Sequence, residues 1–201
     1  ILLNLILAFP AFYYVFLLDV FFISYGGLDS NYFNKVSIIS TIIFFHLLPI
    51  LYFFKEAIKP KFSDDFSIVI LVLISLIFII YFFDYNLKLA GGGFFLHLSN
   101  FLFENNYLFY FVFCISAFYI LKIIKLNKVD NFIIILILLL ITPQYHIFHK
   151  YYDPLVIILA MTLIKLKQPK ELNLNNKFII VSYVFYIFYN FTHLINNYFN
   201  L

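Results

Sequence analysis

The residues of this sequence whose types and spacing could do chemistry are concentrated in one segment, Pro143–Pro154, with the sequence PQYHIFHKYYDP. Its ionisable side chains are His146, His149, Lys150 and Asp153. A helix over residues 145–153 would place these four at i, i+3, i+4 and i+7, on one face. The spacing therefore predicts a single polar face that carries two imidazoles, an ammonium and a carboxylate.

Two kinds of ligand fit these residue types. His146, His149 and Asp153 have a spacing that could hold a divalent metal. An anionic head group fits the whole set better, because Lys150 with one or both imidazoles can neutralise a phosphate. The tyrosines of the segment can stack on a sugar ring or hold the membrane interface. A polyprenyl-phosphate sugar is one such ligand, and we expect neither a metal nor another cofactor.

The apolar runs on both sides of the segment determine where it must lie. Residues 132–141 and 155–164 are almost entirely apolar. Each run is nevertheless too short to cross the ~30 Å hydrocarbon layer, which needs about 20 helical residues. To cross the membrane, each run must include residues of the segment. The segment therefore lies in or at the edge of a membrane. Ionisable residues at that depth are costly unless they face protein or water, so they indicate a functional site.

The composition of the chain predicts its class. The 201 residues are 65% hydrophobic and 11% charged, whereas a soluble domain is about 45–50% apolar. We expect an all-α, polytopic transmembrane bundle in which residues 1–201 form a single transmembrane domain. Its expected partners include membrane lipids and no nucleic acid. Because Ile1 opens the chain directly in an apolar run, we interpret it as the C-terminal part of a longer protein.

The lengths of the apolar runs predict seven spans and their orientation. The spans cover residues 1–24, 36–54, 66–83, 105–121, 132–147, 152–166 and 178–195. Ten of the thirteen lysines lie in or at the edges of the three loops that follow the second, fourth and sixth spans. Basic loops stay on the cytoplasmic side, so we expect a cytoplasmic N-terminus and an outer C-terminus in a bacterial plasma membrane. The segment PQYHIFHKYYDP then faces outward.

The long outer connection, residues 84–106, has its own pattern. An amphipathic interfacial helix is predicted from Phe94 to about Phe103. His97, Asn100 and Glu104 would lie at i, i+3 and i+7 on its polar face, which is either wetted at the membrane surface or part of the site. All five glycines lie in outer connections, which indicates close backbone approach there.

Two further ionisable residues lie inside predicted spans. Asp19, in the first span, is either paired within the bundle or functional. His46, in the second span, is followed by Pro49, which frees a backbone carbonyl one turn earlier. We expect His46 to be a hydrogen-bonded imidazole of the core.

Residues 70–195 resemble the C-terminal region of GT-C-type integral-membrane glycosyltransferases, which use polyprenyl-phosphate sugars. The resemblance is closest to the dolichyl-phosphate-glucose α-1,2-glucosyltransferase family. The matching features are Gly91-Gly92-Gly93 before YLFYF, Pro143-Gln144, Lys150-Tyr151, and Pro154 before LVIILAMTLI. The chain differs from the family at Lys150, where the family has Arg, and at Phe148, where it has an acid. The resemblance implies that the catalytic acid lies on an outer loop upstream of Ile1.

The expected function is that of a membrane glycosyltransferase module that transfers a sugar from a polyprenyl-phosphate carrier to a glycan or lipid-linked acceptor on the outer or luminal side. The residues expected to bind the substrate are Gln144, His146, His149, Lys150, Tyr151, Asp153, His97 and Glu104. Two alternatives remain open. One is a multi-pass transporter or flippase whose broken helix binds a substrate at membrane depth, and the other is a polysaccharide polymerase.

Overall fold

The protein is a bundle of seven described α-helices. The computed structural model describes residues 31–53, 62–87, 91–140, 146–153, 155–164 and 176–199. The helices are α1 (Tyr32–Phe53), α2 (Phe62–Phe82), α3 (Gly93–Phe103), α4 (Tyr107–Leu126), α5 (Lys128–Leu140), α6 (Leu155–Thr162) and α7 (Asn176–Phe199). One turn of 3-10 helix covers His149–Tyr151. No strand occurs in these ranges, so the predicted all-α bundle is confirmed.

Three of these helices are long and apolar enough to cross a membrane, which makes this a membrane protein. Their apolar stretches are Tyr32–Tyr52, Asp65–Phe82 and Tyr107–Leu126. They and α7 correspond to four of the predicted spans, while the predicted first span, with Asp19, lies outside the described residues. The predicted spans 132–147 and 152–166 overlap α5 and α6, but residues 146–147, 152–153 and 163–164 are not helical.

The centre of the bundle is α1, which contacts each of the other six helices. Its apolar stretch is 83% buried, compared with 22% for α2. Polar side chains of α1 form hydrogen bonds to the backbone of the same helix. The Ser37 hydroxyl donates to the Phe33 carbonyl, and the Thr41 hydroxyl donates to the Ile38 carbonyl. A helix with such residues gains from protein on all sides, whereas the more uniformly apolar α2 can face lipid.

Polar side chains tie the helices together at both ends. At one end, Asn31, just before α1, and Asn34, in its first turn, donate their side-chain amides to the Asp84 carboxylate at 2.6 and 2.7 Å. At the other end, the Asp65 carboxylate accepts from Lys122 at 2.6 Å, with Lys125 at 3.6 Å. α2 separates these two ends by about 30 Å at 1.5 Å per residue. The pairs make α1 antiparallel to α2 and α2 antiparallel to α4.

The predicted interfacial helix forms as α3, but its predicted polar face is wrong at one position. Glu104 lies after the last helical residue, in a left-handed conformation with φ 54°. The chain turns here because Ser99 donates its hydroxyl to the Asn105 carbonyl and accepts the Phe109 N–H. That turn ends α3 at Phe103 and leads into α4, so Glu104 is not part of the helix that carries His97.

Candidate functional site

The segment predicted to be a helix is instead an irregular connector, residues 146–153, between α5 and α6. Residues 146–148 have no helical structure, and the 3-10 turn follows them. The reason is a contact with a distant part of the chain: the Ile147 carbonyl accepts the Gly92 N–H at 3.0 Å, and the Ile147 side chain is fully buried. The single helical face predicted for the two histidines, Lys150 and Asp153 is therefore wrong.

The partner of the connector is the glycine loop, Gly91–Gly93, whose three residues all have positive φ. A Cβ added at Gly91 would lie 3.0 Å from both the backbone nitrogen and the backbone oxygen of Ile147. A side chain there would separate the two segments, so the close approach needs glycine. His97 supports the loop, because its Nε2 donates to the Gly91 carbonyl at 2.6 Å.

The connector lies within the length of α1. The His149 ring is centred 4.8 Å from the His46 ring and 4.9 Å from the Phe45 ring. His46 follows the first residue of α1 by four turns, which is about 21 Å along the helix axis. Irregular backbone at such a depth is tolerated where it is buried in protein or lines a cavity. Packing against α1 and the glycine loop gives the connector that protection.

The inward side of the connector contributes to a cluster around the fully buried His46, which also contains the half-buried His149, Tyr186 and Tyr189 and is called the buried histidine cluster. Nδ1 of His149 is hydrogen-bonded to the Tyr189 hydroxyl at 3.1 Å. The Tyr186 hydroxyl donates to the His46 carbonyl at 3.3 Å and lies 3.5 Å from His46 Nδ1. His46 is fully buried, and within the described ranges its Nε2 has no hydrogen-bond partner. The cluster thus joins α1, the connector and α7.

The outward side of the connector presents a lysine on an aromatic surface. The Lys150 ammonium lies 5.0 Å from the centre of the Phe148 ring and 5.8 Å from that of Tyr151. Lys150 is exposed, and in the described part of the chain its ammonium forms no salt bridge. Its charge is therefore available to an anion that approaches over these rings.

Asp153 lies at the end of the connector, half-buried. Burial raises the pKa of its carboxyl group. The same carboxylate interacts electrostatically with the hydroxyls of Tyr186 and Tyr189. Asp153 thus belongs electrostatically with the histidine cluster, although it is adjacent in sequence to the exposed side of the connector.

The predicted substrate-binding residues are divided by the structure. His149 faces the buried cluster, whereas Lys150 and Tyr151 are exposed, and His146 is half-buried. His97 contacts the glycine loop and so supports the connector indirectly. Gln144 lies outside the described residues. No group of three or more His, Cys, Asp or Glu side chains in the described ranges could hold a metal ion.

Sequence reasoning did not assign the buried cluster. His46 was expected to be a hydrogen-bonded core residue, and its burial agrees, but its Nε2 is left without a partner among the described residues. Tyr186 and Tyr189 drew no prediction. Their spacing of three residues in an apolar span, together with a histidine inside another span, was the available signal.

Comparison of this chain with protein-family models, with curated proteins and with solved structures gave no match. The local features therefore carry the argument about function. These are the glycine loop against the connector, the exposed Lys150 and the buried histidine cluster.

Proposed function

We propose that this chain is the donor-binding part of a membrane glycosyltransferase that takes a sugar from a polyprenyl-phosphate carrier. One observation supports this most: the Gly92 N–H···O=C Ile147 hydrogen bond. It joins the two segments, the glycine loop and the connector, that carry the resemblance to GT-C-type enzymes. Segments far apart in sequence are thus packed against each other, as a shared ligand site requires.

The proposed contact with the donor phosphate is Lys150. Its exposed ammonium lies over the Phe148 and Tyr151 rings, and a phosphate that binds there forms a charge-assisted hydrogen bond. The aromatic rings offer an apolar surface to the first isoprene units or to the sugar. The apolar helices alongside supply a path for the lipid tail.

In the proposed reaction, an acceptor hydroxyl attacks the anomeric carbon of the bound sugar. A carboxylate takes the proton of that hydroxyl as general base, and the bond from the anomeric carbon to the lipid phosphate breaks. We assign this base to none of the residues that the structure describes. The orientation that suits this reaction has a cytoplasmic N-terminus for this chain, an outer C-terminus and the connector open to the outer face of a bacterial plasma membrane.

The experiment is sugar transfer from a polyprenyl-phosphate donor by the full-length protein, with Lys150→Gln and Lys150→Arg. Loss of one charge-assisted contact costs about 1.5–3 kcal/mol, so Lys150→Gln should reduce donor use roughly tenfold to a hundredfold. Lys150→Arg should retain most of the activity, because Arg also binds phosphate and the resembling family carries it there. If the Lys150 ammonium only extends to water and does not contact the donor, the wild type and both variants should transfer sugar at equal rates.

The matched control is Lys177→Gln, which removes an exposed lysine from the first turn of α7. We expect wild-type donor use from this variant. Equal losses in Lys150→Gln and Lys177→Gln would contradict a specific phosphate contact and indicate a general effect of surface charge. Products longer than one added sugar would indicate a polysaccharide polymerase that uses the same carrier.

A second candidate function is a transporter or flippase, and one observation favours it. α5 and α6 are only 13 and 8 residues long, and the irregular connector between them lies within the length of α1. Broken helices of this kind bind substrates at membrane depth in transporters. The test is movement of a polyprenyl-phosphate sugar across vesicles that contain the full-length protein and no acceptor. Movement without transfer would favour this candidate over the glycosyltransferase.

A further inference from the structure

The buried histidine cluster has an unused basic nitrogen. The Tyr186 hydroxyl has a single hydrogen, which it donates to the His46 carbonyl. The contact between that hydroxyl and His46 Nδ1 at 3.5 Å is then a hydrogen bond in which Nδ1–H donates. A neutral imidazole with its hydrogen on Nδ1 carries its lone pair on Nε2. His46 Nε2 is therefore a proton acceptor.

This acceptor is enclosed. The side chain of His46 is 0% exposed, and Nε2 meets no donor from the described residues. Buried polar atoms nearly always have a partner, so one that lacks it calls for an explanation. Because the side chain of His46 is fully covered, a partner that reaches Nε2 from outside the protein must be small.

A second imidazole lies beside the first. The ring centres of His46 and His149 are 4.8 Å apart with an interplanar angle of 39°. His149 belongs to the connector, and the next residue, Lys150, is exposed. The connector thus extends from the pair to the surface of the protein.

The groups that face the pair come from several elements. α7 contributes the hydroxyls of Tyr186 and Tyr189, and the connector contributes Asp153, whose charge acts on both hydroxyls. The described rings of α1 and α3 that pack nearby are Phe45, Phe94 and Phe95, which do not titrate. Asp153 is therefore the carboxylate in the described ranges whose charge acts on the tyrosines of the cluster.

We propose that His46 and His149 form a binding site for one proton inside the bundle, shared by the two imidazoles. The proton comes from water by way of the connector and forms an N–H bond at one of the two rings, and the charge of the pair rises by one. Two imidazolium ions this close would repel each other strongly, so the pair takes one proton and not two. The proposal stands on the geometry of the cluster and is independent of the proposed donor site.

The test is nitrogen-15 NMR of the histidine rings in the full-length protein in lipid nanodiscs, as the pH falls from 8 to 4. The signals of the two rings are assigned with His46→Gln and His149→Gln. In the wild type we expect both rings to shift together, and their combined change to correspond to one proton. In His46→Gln, the change at His149 should approach that of a whole proton.

Control variants distinguish a proton shared by the two imidazoles from a histidine with only a structural role. His146→Gln removes another connector imidazole and should leave the shared step unchanged. Tyr186→Phe keeps the ring volume but removes the oxygen that accepts Nδ1–H, so the His46 tautomer should change. The proposal is overturned if His46 stays neutral throughout, as expected for an Nε2 that simply binds a water molecule. It is equally overturned if His149 titrates identically in the wild type and in His46→Gln. The first of these two results is read from the wild-type protein and stands even where a variant fails to fold.

Discussion

The contact between the glycine loop and the connector predicts different effects for two neighbouring alanine substitutions. Gly91 and Gly92 have φ of +106° and +101°. Alanine at either position adopts a strained conformation, at a cost of about 1–3 kcal/mol. Alanine also reduces the conformational entropy of the unfolded chain, and this offsets about 0.4–1 kcal/mol of the strain at both positions. These two contributions nearly cancel when the variants are compared with each other.

The surroundings of the added Cβ make the difference. At Gly92 it would meet three side-chain carbons at 3.2–3.3 Å, which can shift. At Gly91 it would meet the Tyr85 hydroxyl at 2.8 Å, which can also shift, and the Ile147 backbone at 3.0 Å, which cannot without moving the connector. Movement of Ile147 breaks its hydrogen bond with Gly92, worth about 0.5–1.5 kcal/mol. We therefore expect Gly91→Ala to cost about 1 kcal/mol more than Gly92→Ala.

Thermal unfolding of the detergent-solubilised protein, followed by loss of helical circular dichroism, measures this difference. For a chain of this size, 1 kcal/mol corresponds to about 2–4 °C in Tm. Gly91→Ala should also lose more donor use than Gly92→Ala, because the connector carries Lys150. An equal or smaller loss of Tm for Gly91→Ala would refute the close packing of the loop on the Ile147 backbone.

Two further predictions concern the ends of the bundle. Asp65→Asn removes the carboxylate that accepts from the buried Lys122 ammonium, and should cost about 3–5 kcal/mol. Lys125→Gln, which removes a 46% exposed lysine at 3.6 Å from the same carboxylate, should cost less than about 1 kcal/mol in the same unfolding assay; equal losses would contradict the assignment of the buried pair. Impermeant cysteine labelling from outside should reach positions 30 and 106 and miss the lysine-rich side, and the reverse pattern would exclude an outward connector. The positions tested on the lysine-rich side are Lys61, Lys128 and Lys170.

Several features of the fold follow from local sequence. The helices α1, α2 and α4 are continuous apolar runs of membrane-spanning length, and run length is a property of the sequence alone. α3 was predicted within one residue at its start because its amphipathic pattern repeats over the whole helix. The prediction of a functional segment was also made from sequence alone, because it used only the ionisable residues of the segment and the hydrophobicity of the runs on both sides.

The conformation of the connector could not be predicted in this way. Its residues are compatible with a helix, and their spacing even favours one. The Gly92 N–H, from a loop far away in sequence, takes the Ile147 carbonyl and holds the chain in an extended form. A local pattern contains no information about such a partner, and for this reason it predicted a helix over the connector, where residues 146–148 are not helical.

What the sequence by itself determined is that this is a helical membrane protein with a polar segment between short apolar runs. Hydrophobicity and run length decide these properties residue by residue. Only the tertiary structure decided that α1 lies at the centre and that His46 meets His149 and Tyr186. Helices of similar hydrophobicity can occupy the centre or the lipid face, and the choice depends on how their side chains pack. Contacts such as Tyr186 with His46, 140 residues apart, exist only once that packing has formed.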